Sequence, residues 1–90
     1  MVKGKTKSGF AFEIDPEQVN DMEFLERLGT ASDDITKMPK VMTEILGAEQ
    51  RAKMYDHLRN ENGKVPIDKA MDLFQEILTI ANEASETKNS

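Results

Sequence analysis

The side chains that could carry out chemistry are few in this chain, and the first to consider is its single histidine, His57. A catalytic triad or a zinc site would need further ligands beside this imidazole, and the chain contains no cysteine that could supply one. His57 follows Tyr55 and precedes Leu58, which belong to the apolar stripe of a predicted helix. We therefore interpret it as a half-exposed helix histidine and predict no metal site.

Carboxylates are the other candidates for chemistry, since the chain has 17 aspartate and glutamate residues. General acid–base catalysis requires two carboxyl groups that share a pocket and have separated pKa values. Here the acidic side chains, such as Asp34, Asp68 and Asp72, fall at predicted helix starts or on polar faces. The glycines do not form a phosphate-binding loop of known spacing. The sequence therefore predicts no catalytic residue, no cofactor and no enzymatic activity.

The segment from Asn60 to Val65 resembles a calcium-binding loop between two helices. When Gly63 is set at the sixth loop position, Leu58 occupies the first position and Lys69 the twelfth. An EF-hand needs an aspartate and a bidentate glutamate there, and neither leucine nor lysine coordinates calcium. We therefore predict a polar turn.

Charge and composition narrow the class of partner. The formal net charge is −5, and Lys3, Lys5 and Lys7 all precede the first acidic residue, so the rest of the chain is strongly acidic. An acidic surface disfavours nucleic acid and anionic membranes. The sequence shows no signal peptide and no apolar run of transmembrane length. We expect a cytoplasmic protein with protein partners, or copies of itself, covering a thin core.

Hydrophobic periodicity predicts one strand followed by helices. Phe10, Phe12 and Ile14 alternate as in a half-buried strand, which could pair with residues 2–7, pair with another chain or lie on the helices. Asp15 and Pro16 form a helix start, and Asp21 could cap a second one if the segment kinks. Apolar residues at three- and four-residue spacing predict the helices: Val19, Met22, Leu25, Leu28; Met38, Val41, Met42, Ile45, Leu46; Ala48, Ala52, Tyr55, Leu58; Ile67, Ala70, Met71, Phe74, Ile77, Leu78, Ala81.

These patterns predict a mainly α-helical fold, a compact bundle of four to five short helices with a short N-terminal β segment. Gly29 and Gly47 are expected to end helices, and Thr30 to Asp34 to form a polar connector. The predicted organisation is a flexible basic arm (1–8), a single helical domain (9–82) and a disordered polar tail (83–90).

Surplus apolar side chains suggest where a partner could bind. The methionines could fill the core or line a pliable groove. Leu73 and Ile80 lie beside the main stripe of the last helix, so they either contact the N-terminal strand or form a second seam for an oligomer or a target helix. The predicted partner-binding residues are Phe10, Phe12, Leu73, Ile77 and Ile80.

The order of several segments resembles the small tail assembly chaperones of long-tailed, siphovirus-type bacteriophages, mainly those of Gram-positive hosts. The resemblance extends over nearly the whole chain from Gly9, and Met22 stands where relatives often have tryptophan. The matching segments are Gly9-Phe-Ala-Phe-Glu-Ile-Asp15, Asn20-Asp-Met-Glu-Phe-Leu-Glu26, Met38-Pro-Lys-Val-Met-Thr-Glu-Ile-Leu-Gly47 and His57-Leu-Arg-Asn-Glu-Asn-Gly-Lys-Val-Pro66.

The resemblance implies a helical, non-enzymatic chaperone that binds the tape-measure protein and assists assembly of the tail tube protein. Such a protein acts in the cytoplasm of the infected or lysogenic bacterial cell and does not join the mature virion. Self-association into a homo-oligomer is a further expectation. The alternative function is a small helical regulatory or adaptor protein that binds one specific partner.

Overall fold

An antiparallel hairpin forms the N-terminal part of the protein. The computed structural model describes the backbone of residues 1–89 and the side chains of residues 1–84. Strand β1 (Val2–Lys5) pairs with β2 (Ala11–Ile14), and Gly4 lies opposite Phe12. Of the three arrangements left open for the predicted strand, pairing within the chain is therefore the one found.

The hairpin corrects the expectation of a flexible arm over residues 1–8. Val2 and Thr6 are buried while Lys3 and Lys5 are exposed, so β1 alternates between the helices and solvent. Lysine and glycine are disfavoured in strands, and this composition conceals the two-residue period.

A glycine-containing turn joins the two strands. The Thr6 backbone N–H donates to the Phe10 carbonyl at 2.9 Å, and the Gly9 N–H donates to the Thr6 carbonyl at 3.0 Å. The Phe10 N–H then donates to the Thr6 hydroxyl at 3.1 Å. Gly9 has a φ of 93°, which glycine adopts without strain, so it allows the bulged turn that keeps the strands in register.

Two helix starts follow the hairpin, as the sequence predicts. Helix α1 (Pro16–Val19) begins after Asp15, whose carboxylate accepts from the Glu17 N–H. Helix α2 (Met22–Asp33) begins after Asp21, which accepts from the Glu23 N–H at 3.1 Å. The predicted second cap at Asp21 is therefore confirmed.

Helix α2 differs from the prediction in its end and in its buried face. It continues through Gly29 to Asp33, so Thr30 to Asp34 is not a polar connector. The break at Asn20 and Asp21 separates α1 from α2, so the two do not share one stripe. Phe24 and Ala31 face the core, whereas Met22 and Leu25 are exposed.

The longest middle element is a kinked helix. A 3₁₀ turn (Ile35–Lys37) leads into α3 (Met38–Leu58), and Pro39 lies in its first turn, where the helix tolerates proline. Gly47 interrupts it with φ 79° and ψ 161°, a conformation that favours glycine, so the predicted helix break is confirmed as a kink. Ala48 and Ala52, predicted to belong to a buried stripe, are exposed.

The last helix, α4 (Ile67–Asn89), continues past the predicted domain end at residue 82. Neither proline nor glycine stops it there, and glutamate and alanine favour its continuation. The predicted disordered tail, 83–90, is therefore helical in its backbone through Asn89, and the side chains of residues 85–90 lie outside the described residues.

The core lies between the inner face of the hairpin and helices α2, α3 and α4. The predicted fold class, mainly α-helical with a short N-terminal β segment, is confirmed. The buried core residues are Phe10, Phe12, Ile14, Phe24, Ala31, Met38, Val41, Met42, Ile45, Leu46, Met54, Ala70, Leu73, Phe74, Ile77 and Ala81.

Candidate partner-binding surfaces

The structure brings the predicted partner-binding residues together in the core. Phe10, Phe12, Leu73 and Ile77 are buried, and Ile80 is half-buried against the same cluster. An atom placed as a Cβ on Gly4 would lie 3.1 Å from Ile80 Cγ2, so α4 packs tightly beneath β1. The protein's own chain therefore covers these side chains, and their role as partner contacts stays a prediction that would require the hairpin to leave α4.

An apolar groove opens instead between the 3₁₀ turn, the two halves of α3 and the start of α4. It has a volume of about 320 Å³, and no charged side chain lines it. Ile35 and Ile67 are well exposed there, with 64% of Ile67 accessible. The apolar groove is lined by Ile35, Thr36, Met38, Pro39, Met42, Tyr55, Val65, Ile67, Ala70 and Met71.

Two local hydrogen-bonded segments position the walls of the apolar groove. On one side Asp34 caps the 3₁₀ turn: its carboxylate accepts from the Thr36 hydroxyl at 2.6 Å and from the Thr36 N–H at 3.2 Å. These bonds hold the pKa of Asp34 below its ordinary value of 3.8, the hydroxyl bond contributing most. On the other side Asn60 Oδ1 accepts from the Asn62 and Lys64 N–H groups. The fixed loop leads the chain into Val65 and Ile67.

The lining of the apolar groove suits an apolar ligand of variable shape. Met38, Met42 and Met71 contribute to it, and unbranched thioethers adapt to different partner surfaces. Tyr55 Oη donates a weak hydrogen bond to Met42 Sδ at 3.9 Å. The Arg51 guanidinium lies 5.6 Å from the centre of the Tyr55 ring, a cation–π contact.

A second exposed apolar surface lies on α2, and we call it the α2 outer face. Met22, Leu25 and Gly29 share this face at helical spacing, and the exposed fractions of Met22 and Leu25 are 69% and 56%. A Cβ added to Gly29 would meet no atom within 4 Å. The face therefore exposes two apolar side chains and is unobstructed at Gly29.

Ion pairs occupy the other side of α2. Arg27 Nε lies 2.8 Å from Glu44 Oε1, so the pair joins α2 to α3. The hydrogen bond to Glu44 raises the pKa of Arg27 above its ordinary value. The groove around this pair has a volume of about 640 Å³, and Lys37 and Lys40 also line it. Its mixed charges are half-exposed, so we assign it to surface ion pairing.

His57 contacts the hairpin. Its Nε2 lies 3.0 Å from the Ser8 hydroxyl, and its ring centre lies 5.5 Å from that of Phe10. Among the described residues, no group of three or more histidine, cysteine, aspartate or glutamate side chains could hold a metal ion. In the same part of the chain, no helix is long and apolar enough to cross a membrane.

Sequence reasoning missed the groove residues Ile35 and Ile67. Ile35 follows two aspartates and precedes α3, which starts at Met38, so no periodic pattern included it. Ile67 was assigned to the buried stripe of α4, but it occupies the first turn, where the helix has not yet reached the core. For Ile35 the sequence did contain a signal, an isoleucine outside any helical stripe, whereas Ile67 gave none.

Comparison with known proteins found no match to this chain among protein-family models, curated proteins or solved structures.

Proposed function

We propose that this chain is a protein-binding chaperone of phage tail assembly, whose apolar groove holds apolar side chains of helical segments in the tape-measure protein. The observation that carries the proposal is the apolar groove: an uncharged channel rimmed by exposed isoleucines and lined by methionines. The resemblance of the segment order to tail assembly chaperones supplies the identity of the client.

The groove favours a helix as the client element. An amphipathic helix presents apolar side chains at three- and four-residue spacing, and such rows fit hydrophobic grooves. Because the groove is small, each contact is weak, and a long client would be covered by many copies. The acidic surface of the chain would then keep the assembly soluble in the cytoplasm of the bacterial host. Through the tape-measure protein the chaperone would assist assembly of the tail tube protein, without joining the virion.

Co-expression with the tape-measure protein from the same phage genome tests this function. We expect the tape-measure protein to become soluble and to co-elute with the chain in light-scattering chromatography. Ile67→Lys, which places a charge on the groove rim, should abolish both effects. Ala48→Lys adds the same charge at an exposed helical position outside the groove lining, so this control should behave like the wild type.

If the wild-type chain leaves the solubility of the tape-measure protein unchanged, this result contradicts the proposed chaperone function. The second candidate, a regulatory or adaptor protein, would use the same groove for one specific helix. It predicts a complex of fixed stoichiometry with a single folded partner, in place of many copies along one long client.

A further inference from the structure

The outer edge of β1 is an open edge of the hairpin. Hydrogen-bonded and non-hydrogen-bonded residue pairs alternate along antiparallel strands. Thr6 donates its N–H to the Phe10 carbonyl, so Lys5 and Lys3 belong to the non-hydrogen-bonded pairs and their N–H and C=O groups point away from β2. Within the described part of the chain, no hydrogen bond covers these groups. We infer that this edge of β1 binds an extended, acidic segment of a partner protein, which adds to the hairpin as a third, antiparallel strand.

Side chains cover the neighbouring backbone groups that also point out of the hairpin. On the opposite edge, Gln50 bonds both the N–H and the C=O of Glu13 at 2.7 Å. Just past the end of β1, Glu76 of α4 accepts from the Lys7 N–H at 2.7 Å. The edge of β1 differs from both places, because its outward groups remain available. Main-chain hydrogen bonds to such groups supply the affinity when a peptide adds to an open sheet edge.

A groove continues the edge of β1 past Lys5. It runs between residues 5–7 and one side of α4, and it has a volume of about 630 Å³. Asp72, Glu76 and Thr79 lie on that side of α4 at helical spacing. No residue of β2 lines the groove, as expected on the open side of β1. A segment paired with β1 can therefore extend into this groove and contact α4.

Charge selects the chemistry of the added segment. Lys3 and Lys5 are exposed in a strand whose alternate residues are buried or half-buried, so both side chains lie on the solvent face. Residues opposite each other in neighbouring strands share a face, and opposite charges there stabilise the pairing. Acidic side chains two residues apart would therefore lie beside the two lysines. The residues that alternate with them would face α4, where Asp72 and Glu76 disfavour further acidic groups.

A second copy of the chain is a poorer occupant of this edge. Pairing of β1 with the β1 of another copy would bring lysines opposite lysines, and like charges at such positions destabilise a sheet. Lysines on an edge strand protect it from pairing with an identical edge. The same lysines attract a segment of opposite charge, so they give the edge its selectivity.

A synthetic peptide tests the inference with the full chain. The probe has seven residues, with glutamate at alternate positions and threonine or valine between them. We expect saturable binding in fluorescence anisotropy, together with slower hydrogen exchange of the Lys3 and Lys5 amides in the complex. The same peptide with lysine in place of glutamate should not bind.

A backbone-modified peptide separates strand addition from simple charge attraction. The amides of the residues opposite Lys3 and Lys5, which are the glutamates, face β1 in the proposed complex. N-methylation of these amides removes the strand hydrogen bonds but keeps every charge. The modified peptide should therefore bind about tenfold more weakly than the unmodified one.

Charge reversal on the edge is the matched test in the protein. Lys3→Glu combined with Lys5→Glu should weaken binding of the acidic peptide by about tenfold and should allow the lysine peptide to bind. Lys40→Glu combined with Lys64→Glu makes the same change in net charge at exposed positions away from the edge, so this control should bind the acidic peptide like the wild type. All four lysines are exposed, and circular dichroism would check that both proteins stay folded.

Three results would overturn the inference. The acidic peptide could fail to bind the wild type, in which case the lysines only protect the edge. It could bind the charge-reversed edge as tightly as the wild type. The N-methylated peptide could bind as tightly as the unmodified one, which would show charge attraction without strand addition.

This inference does not rest on the proposed function, because it concerns a different surface. Ile67→Lys alters the apolar groove and leaves the edge of β1 intact, so this variant should bind the acidic peptide like the wild type. The charge-reversed edge leaves the apolar groove intact, so that variant should still make the tape-measure protein soluble.

Discussion

Gly4 and Gly29 both lie inside regular elements, but their surroundings differ. A Cβ on Gly4 would lie 2.6 Å from Phe12 Cζ and 3.1 Å from Ile80 Cγ2, between the hairpin and α4. A Cβ on Gly29 would meet nothing within 4 Å. Close packing therefore requires glycine at position 4, whereas the monomer gives no steric reason for it at position 29.

Alanine substitutions should separate these two glycines. Gly29→Ala should raise the free energy of unfolding of the monomer by about 0.5–1 kcal/mol, because alanine favours the helix. Gly4→Ala should lower it by about 1–3 kcal/mol through overpacking against Phe12. Urea denaturation of both variants measures these changes, and a Gly29→Ala protein less stable than the wild type would contradict the described environment of Gly29.

Asp34 should make stability depend on pH in the acid range. Its pKa is lowered in the folded protein by the Thr36 hydroxyl and then by the Thr36 N–H, so its contribution is complete above the ordinary value of 3.8. That contribution is lost as the pH falls through the lowered folded-state pKa. We expect Asp34→Asn to be less stable than the wild type near neutral pH, with the difference disappearing in acid.

Thermal unfolding across that pH range measures the effect of Asp34. Thr36→Val removes the hydroxyl donor but keeps the side-chain shape. It should therefore also make the free energy of unfolding depend less on pH in the acid range. A constant difference between wild type and Asp34→Asn at all pH values would exclude a charge effect at this cap.

At the scale of elements, Gln50 connects the hairpin to the kinked helix. Its amide accepts from the Glu13 N–H and donates to the Glu13 carbonyl, both at 2.7 Å, and donates to the Leu46 carbonyl at 2.8 Å. Thr6 and Phe10 form a hydrogen-bonded pair of the hairpin. Because such pairs alternate with non-hydrogen-bonded pairs along antiparallel strands, the backbone N–H and C=O of Glu13 point away from β1. Gln50 thus pairs with the outer edge of β2 as a neighbouring strand would, and covers it.

Substitution of Gln50 should loosen both elements. Gln50→Ala removes three hydrogen bonds to Glu13 and Leu46 and should lower the free energy of unfolding by about 0.5–1.5 kcal/mol, because water can partly replace the two exposed bonds to Glu13. Gln50→Glu can still accept from Glu13 N–H but presents oxygens to two carbonyls, so it should also destabilise. Hydrogen exchange of the Glu13 amide should accelerate in both variants, and Gln75→Ala, at an exposed position of α4, serves as the control.

The sequence predicted elements where local chemistry decides the structure. Asp15 and Asp21 cap helices, and Gly47 breaks one, because these residues act through neighbours a few positions away. The strand at residues 2–5 and the choice of the buried side of α2 depend on distant contacts. Strand β1 is held by β2 and α4, and the buried side of α2 is the side on which Phe24 contacts the core. The apolar groove is formed by three separate segments, so no local pattern could reveal it.

At the scale of the whole molecule, the two ends of the described chain are packed against each other. The Lys7 N–H donates to Glu76 Oε2 at 2.7 Å, and Phe12 and Ile77 lie in one core cluster. This packing makes the inner face of α4 essential for stability, while its first turn at Ile67 serves only the groove.

Lysine substitutions six residues apart on α4 should therefore have opposite outcomes. Leu73 is 4% exposed, so Leu73→Lys buries a charge without a partner and should unfold the chain. Ile67→Lys should change the free energy of unfolding by no more than about 0.5 kcal/mol. Circular dichroism melting compares the two, and a folded Leu73→Lys protein would instead favour the predicted oligomer or client seam at Leu73 and Ile80.

The contact between β1 and α4 also has a consequence for biosynthesis. During translation the hairpin is made before α4, so β1 lacks its contact with α4 until residues near Ile80 have emerged, although α3 can already lie against β2. The core can close only after that point, and a pause in translation before α4 would prolong the life of an aggregation-prone intermediate. A protein proposed to shield another chain from aggregation is therefore itself open to aggregation until α4 has been made.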